Sequence, residues 1–185
     1  MDAIEALRTR RTVGVFSSEP PPEALVARAI EAATWAPNHH LTEPWRFHVL
    51  AGTARTAIAA AAGKTLPPEK ATDEERRAVR AKFERAPVLV VVTQAAGDGD
   101  AVRDLEDYAA CACATQNLLL AARAQGLAAK WSTGKLAHSE GVKRFLGLGE
   151  GDRIVGFVYL GYAVDGGAAG AEPRRAPPPV THYGD

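Results

Sequence analysis

The order of elements legible in the chain predicts an α+β domain, with a mixed, mostly antiparallel sheet packed around a central helix. One observation is the continuous β-branched run PVLVVVT, Pro87 to Thr93, which has the composition of a strand covered on both faces. A second is the stretch from about Arg103 to Gln125, rich in alanine and leucine and apolar nearly all round its middle, as expected of a buried helix. A third is that strand and helix patterns do not strictly alternate, which argues against a simple doubly wound fold.

From Asp2 to Arg10 the spacing of Ile4, Leu7 and Arg8 suggests a short amphipathic helix, with Arg10, Arg11 and Thr12 at its exit. The prolines at 20 to 22 open a second helix through about Ala36, with Leu25, Val26, Ala29, Ile30 and Ala33 as its buried stripe and Pro37 as its stop. In WRFHVLA, Trp45, Phe47, Val49 and Ala51 alternate with Arg46, His48 and Leu50, as in a half-buried strand whose first set points inward. Residues 53 to 63 form an alanine-rich helix. Residues 69 to 85 carry eleven charges in seventeen positions around the apolar pair Val79 and Phe83, the pattern of a solvated helix or of a cover over a site. After the central strand and the long helix, Gly126 supplies a C-terminal stop. A short strand ending in Lys130-Trp131-Ser132-Thr133-Gly134, a helix near 138 to 146 and the strand RIVGFVYLG, Arg153 to Gly161, complete a single domain over residues 1–163. The glycine, alanine and proline of residues 164–185 predict an extended C-terminal arm.

Thirty-seven of the 185 residues are alanine, which leaves 49 larger apolar residues, two cysteines among them, to build a core. Alanine contributes little buried area, so a partner subunit or a cofactor is expected to complete the burial. Equal numbers of basic and acidic residues, 22 of each, give no net charge and no electrostatic case for nucleic acid. Cys111 and Cys113 are one residue apart in a helical pattern and point to different faces, which disfavours a bridge or a metal pair and suits a reducing, cytoplasmic home. The opening MDAIEALRTRR lacks the apolar run of a signal peptide, and no apolar stretch reaches the ~18 residues of a membrane helix, so the chain reads as soluble with no membrane partner.

Several motifs fail on inspection. Gly63-Lys64-Thr65 resembles the end of a phosphate loop, but Ile58 stands where that loop needs glycine and a helix precedes it. Gly147, Gly149 and Gly151 lack the spacing of a dinucleotide fingerprint and read as a turn. No serine sits in a GxSxG elbow. His39 and His40 with Glu43 suggest metal, yet Pro37 and Pro44 disfavour a helix there and a third ligand is not evident; the expectation is no metal, with Asn38 and the histidines pairing loop backbone groups. Arg10-Arg11-Thr12, in contrast, offers two guanidinium forks and a hydroxyl, a donor set suited to a phosphate.

In order and spacing, the opening helix into RRT, APNHHLTEPWRFHVL, APVLVVVT, the long alanine-rich helix, KWSTG and GDRIVGFVYLG resemble the FMN-dependent nitroreductases, especially their minimal branch of small proteins. The resemblance covers Asp2 to about Gly161. It implies a homodimer with flavin sites at the subunit interface. It assigns FMN phosphate and ribityl contacts to Arg10, Arg11 and Thr12, contacts from the partner's loop to His39 and Trp35, and groups near the flavin ring to Trp131, Ser132, Thr133 and Gly134. Many larger relatives carry Ser-x-x-Asn-x-Gln-Pro-Trp in that loop; Leu41 and Glu43 take the Asn and Gln positions here, which implies altered ring contacts. The resemblance also implies a C-terminal segment crossing to the partner, for which Pro177 to Pro179 and Val180 form a plausible strap.

The function this implies is an FMN oxidoreductase that takes hydride from NADH or NADPH and passes electrons to a nitroaromatic, quinone-like or other conjugated small-molecule acceptor, the flavin carrying the chemistry without a protein catalytic residue. The alternatives are a flavin-binding module without turnover, and specialised flavin chemistry such as dehalogenation or flavin fragmentation.

Overall fold

The computed structural model describes residues 1–164 and 178–183, and of Lys70 the backbone alone. Most of the expected C-terminal arm, with Pro177 of the strap, lies outside the described residues.

Ten elements follow in order: α1 (Ala3–Thr9), α2 (Glu23–Ala33), β1 (Trp45–Ala51), α3 (Thr53–Lys64), α4 (Asp73–Phe83), β2 (Val88–Gln94), α5 (Ala101–Ala124), β3 (Ala128–Ser132), α6 (Glu140–Leu146) and β4 (Arg153–Gly161). Short 3-10 turns at Pro68–Lys70 and Lys135–His138, unforeseen in the sequence, precede α4 and α6. The four strands lie in the order β1-β2-β4-β3, every neighbour antiparallel. The mixed character comes from the segment after α1, where Thr12 bridges Ala129 of β3 in parallel and the Val13 N–H donates to the Ala129 carbonyl at 3.1 Å.

Helices cover both faces of the sheet. Val88, Val90 and Val92 of β2 pack in one apolar cluster with α2 and α5, while Leu89 and Val91 pack in a second with α3, α4 and α6. This is why PVLVVVT shows no alternation: each successive side chain enters one core or the other, gaining roughly 1.5–3 kcal/mol relative to exposure. Val79 and Phe83 anchor the charged helix α4 in the second cluster, leaving its other faces solvated.

Three expectations need correction. In β1, Leu50 is buried while Val49 is 51% exposed and Ala51 is exposed too. Leu50 joins the α3/α4/α6 cluster and Trp45 the α2/α5 cluster, so the two faces of this edge strand separate one core from another rather than core from solvent. In α1, Ile4 and Leu7 are exposed and Ala6 carries the contact. Helix α5 is buried along one stripe, Asp107, Ala110, Cys111, Ala114, Thr115, Leu118, Leu119 and Ala122, whereas Val102 and Leu105 face outward. Its start is fixed by the Asp100 carboxylate, which accepts from the backbone of Val102 and Arg103, and its end by Gly126 at φ 79°. Among the described residues, no helix is long and apolar enough to cross a membrane.

Candidate functional site

Arg10 ends α1 in an extended conformation, and Arg11 turns back to donate through Nη1 to the carbonyls of Arg8 at 2.6 Å and Arg10 at 2.9 Å. Part of the Arg11 guanidinium therefore closes the end of α1. Arg10 and Arg11 line a cavity of about 260 Å³ together with Arg123 from the last turn of α5. Nε of Arg123 donates to Oγ1 of Thr9 at 3.1 Å, which brings the third guanidinium to the exit of α1. In the sequence Arg123 looked like an ordinary cation at a helix C-terminus, and only the packing of α1 on α5 reveals its place.

Ala128 and Ala129 belong to this first cavity, whereas Lys130 and Ser132 belong to a second, of about 340 Å³, so the two follow each other along β3. From Ala129, beside Thr12, to Ser132 is three residues of strand, or about 10 Å. Thr133 and Gly134 continue the wall of the second cavity; Gly134 has φ 113°, which an L side chain rarely adopts. Opposite them stand Lys82 and Arg85, with Lys130 and Lys135 beside them and Tyr159 in the floor. Among the described residues, none of these four cations joins an ion pair. The Arg85 guanidinium lies 5.8 Å from the centre of the Tyr159 ring. Burial, and then the charge of Arg85, hold Lys130 below the usual lysine pKa; burial raises that of Tyr159, with Arg85 opposing. Lys82, in the last turn of α4, and Arg85, in the turn that follows, were read from sequence only as part of a charged run.

Trp131 lines neither cavity. Its ring packs toward the α2/α5 cluster, its buried Nε1 has no hydrogen-bond partner among the described residues, and a Cβ on Gly156 would lie 2.1 Å from that atom. In this chain Trp131 anchors β3, which carries Ser132 and leads into Thr133.

The loop between α2 and β1 forms a separate group. Asp107, buried in α5, accepts from Oγ1 of Thr42 at 2.5 Å and from Nδ2 of Asn38 at 3.5 Å, and Oδ1 of Asn38 accepts the Glu43 N–H at 2.7 Å. This network holds Leu41 and Glu43 at φ 52° and 44°, conformations that cost of order 1–3 kcal/mol each outside glycine. The expectation for Asn38 thus holds, but that for the histidines is corrected. His39 and His40 stack at 4.2 Å and both face Oε2 of Glu106, at 3.2 and 3.4 Å; these three form a ligand-type group that does not include Glu43. Neither His39 nor Trp35, which is 80% exposed, lines the cavities along β3.

Of the nine residues expected at the site, Arg10 and Arg11 line the first cavity with Thr12 bridged to Ala129 beside it, Ser132, Thr133 and Gly134 line the second about 10 Å further along β3, Trp131 lines neither, and Trp35 and His39 stand apart within one chain. Residues 7–162 match the Nitroreductase family. The chain is 32% identical over 162 residues to "Putative NAD(P)H nitroreductase YfhC" of Bacillus subtilis (strain 168), covering 85% of this chain and 82% of that one. It is 33% identical over 168 residues to "Putative NAD(P)H nitroreductase YdjA" of Escherichia coli (strain K12), covering 87% and 88%. Among solved structures, a nitroreductase-like family protein of Bacillus cereus superposes with a TM-score of 0.85 at 29% identity, covering 96% of this chain and 92% of that one. A nitroreductase of Bacteroides fragilis with bound FMN shares the fold at a TM-score of 0.75 and 22% identity, covering 99% and 100%. With its fold and nearly its whole length matched, the chain belongs to the nitroreductase family.

Proposed function

We propose that this chain is an NAD(P)H-dependent FMN oxidoreductase, with the FMN phosphate at Arg10, Thr12 and Arg123 and the flavin ring toward Ser132, Thr133 and Gly134. The observation that carries the reading is the pair of cationic cavities laid end to end along β3. The donor set fits the cofactor: guanidiniums form charge-assisted hydrogen bonds with a phosphate at one end, and small residues with unpaired cations receive a polar ring edge at the other. The chemistry that FMN supplies when bound is uptake of a hydride from NADH or NADPH and delivery of its two electrons, with protons, to a nitroaromatic, quinone-like or related acceptor. The residues of the chain bind and orient; no side chain is assigned as acid or base.

The same reading makes the active form a homodimer. The loop at residues 37–44 is rigidly held on α5 yet presents Leu41, 83% exposed, and His39 outward, which supports a role for His39 and Trp35 at the partner's flavin. The arm at residues 164–185 is read as crossing to the partner, and the two free cysteines suit the cytoplasm.

A purified sample decides. Yellow protein that NAD(P)H bleaches without oxygen and a nitro compound recolours supports the oxidoreductase. Protein that refuses added FMN refutes it, and a yellow protein that NAD(P)H leaves unbleached marks a flavin-binding module instead. Arg10→Ala and Arg123→Ala should each weaken FMN binding roughly tenfold or more, the worth of one charge-assisted hydrogen bond.

A further inference from the structure

The second cavity holds more positive charge than a flavin ring accounts for. On the reading above the phosphate dianion is met in the first cavity by Arg10 and Arg123, and a reduced flavin ring carries at most one negative charge. One cation in the second cavity balances that charge. Four stand there, Lys82, Arg85, Lys130 and Lys135, contributed by α4, the turn after it, β3 and the turn before α6. Among the described residues none of them is paired with a carboxylate, although the chain as a whole is neutral. Gathering like charges in one cavity is unfavourable; burial first, and Arg85 in addition, lower the pKa of Lys130. Phe157 and Tyr159 also line the cavity but are only 2% and 4% exposed, and the Arg85 guanidinium stands over the Tyr159 face, so its open surface is made by the cations.

We propose that this cavity selects an anionic aromatic acceptor, a conjugated ring bearing a carboxylate or a similar small anion, with Arg85 and Lys135 as the specificity-determining cations. The ring of the acceptor lies on the flavin, and its anion meets the exposed cations at the mouth. The inference rests on the flavin reading insofar as the bound anion is a substrate. A guanidinium that meets a carboxylate outside bulk water forms a stronger, charge-assisted hydrogen bond than a neutral donor does, and such a preference is screened by salt.

The test compares benzoate with its neutral isostere benzamide, binding to the FMN-loaded protein, by calorimetry and by perturbation of the flavin absorption band, at low and high ionic strength. Benzoate is expected to bind roughly tenfold more tightly than benzamide at low ionic strength, the yield of one charge-assisted hydrogen bond, with the gap closing at high ionic strength. Arg85→Gln and Lys135→Gln should each narrow the gap, and 4-nitrobenzoate should exceed nitrobenzene in kcat/KM by a similar ratio. Equal binding of benzoate and benzamide would overturn the proposal, as would a gap indifferent to salt and to both substitutions. If the substitutions instead abolish a preference for NADPH over NADH and leave the benzoate ratio intact, the cations read the donor's extra phosphate, and the proposal again falls. The calorimetric arm also runs on flavin-free protein. Failure to retain FMN thus refutes the flavin reading, while a flavoprotein indifferent to ligand charge refutes the anion preference alone.

Discussion

Gly156→Ala adds one methyl group where β4 passes behind Trp131, and the structure fixes both the sign and the size of its effect. The new Cβ would lie 2.1 Å from Nε1 and 2.7 Å from Cδ1 of Trp131 and 3.1 Å from the Ser132 carbonyl oxygen. The first two distances fall more than an ångström short of ordinary contact, and the obstacle is a rigid indole, so ring or strand must move. Replacing glycine by alanine in a strand otherwise gains about 0.5–1 kcal/mol through the unfolded chain. Overpacking of this kind costs about 1–3 kcal/mol, and contacts this short against a rigid ring belong in the upper half of that range, so the clash wins by about 1–2 kcal/mol. For a domain of this length that lowers Tm by about 2–8 °C. Because Trp131 anchors β3, which carries Ser132 and leads into Thr133, its fluorescence and the retention of FMN should change together with Tm. Gly141→Ala is the control: its Cβ would lie 2.0 Å from the Ala61 carbonyl oxygen where α6 crosses α3, so Tm should fall without a change at Trp131. In a Trp131→Ala background the Gly156 substitution should lose most of its cost. Unaltered Tm and fluorescence in Gly156→Ala would refute the claim that this contact sets the position of β3.

Two further substitutions test the surrounding network. Asp107→Ala leaves Thr42 and Asn38 without their acceptor on α5; about 1–3 kcal/mol of stability should be lost, and hydrogen exchange at residues 38–43 should quicken, whereas unchanged exchange would show that the loop is held otherwise. Glu84 accepts from Oγ1 of Thr56 and from Nε of Arg80, and these bonds, that of Thr56 first, hold its pKa below the usual carboxylate value. A depressed carboxylate stabilises the fold fully above its unfolded pKa and loses that contribution as pH falls through its folded pKa. Thr56→Val should therefore cost about 1 kcal/mol at neutral pH and progressively less in acid, read from urea titrations across pH 2–7; a difference independent of pH would remove Glu84 from the explanation.

The parts of this protein legible in its sequence are those whose residues carry their own environment. The β-branched run of β2 is covered on both faces and was read so; RIVGFVYLG coincides with β4 from Arg153 to Gly161. Arg10, Arg11 and Thr12 fall at the exit of α1 as read, because a helix end is a local pattern. In β1, Trp45 and Leu50 are both buried but in different cores, so a rule built on one wet face and one dry face assigned Leu50 to solvent. Arg123 meets Arg10 only because α5 packs on α1, and Lys82 meets Lys130 only because the turn after α4 lies near the end of β3. Asp107 resembles any acid in the charged opening turns of a helix until the loop at residues 37–44 is seen to hang on it.

The scarcity of large apolar residues also takes a different form in three dimensions. Inside, the sheet is covered on both faces, and alanine at positions 110, 114 and 122 lets α5 lie close against its neighbours. What stands outside is more telling. Trp35, Leu41, Val102 and Leu105 are each at least two-thirds exposed, and three of them belong to the loop and the helical turns that Glu106 and Asp107 join. Single exposed apolar residues need no explanation, but Leu41 on a hydrogen-bonded, strained loop does. Rigidity there has no use in a free surface loop, where backbone strain would relax at no loss to the core. It has a use where a second subunit must find Leu41, His39 and Trp35 already in position, because ordering them before association removes that entropy from the cost of binding. The chain is thus not short of apolar surface; it carries part of it on the outside. A stable, flavin-free monomer in sedimentation at micromolar concentration would show that this surface has no partner.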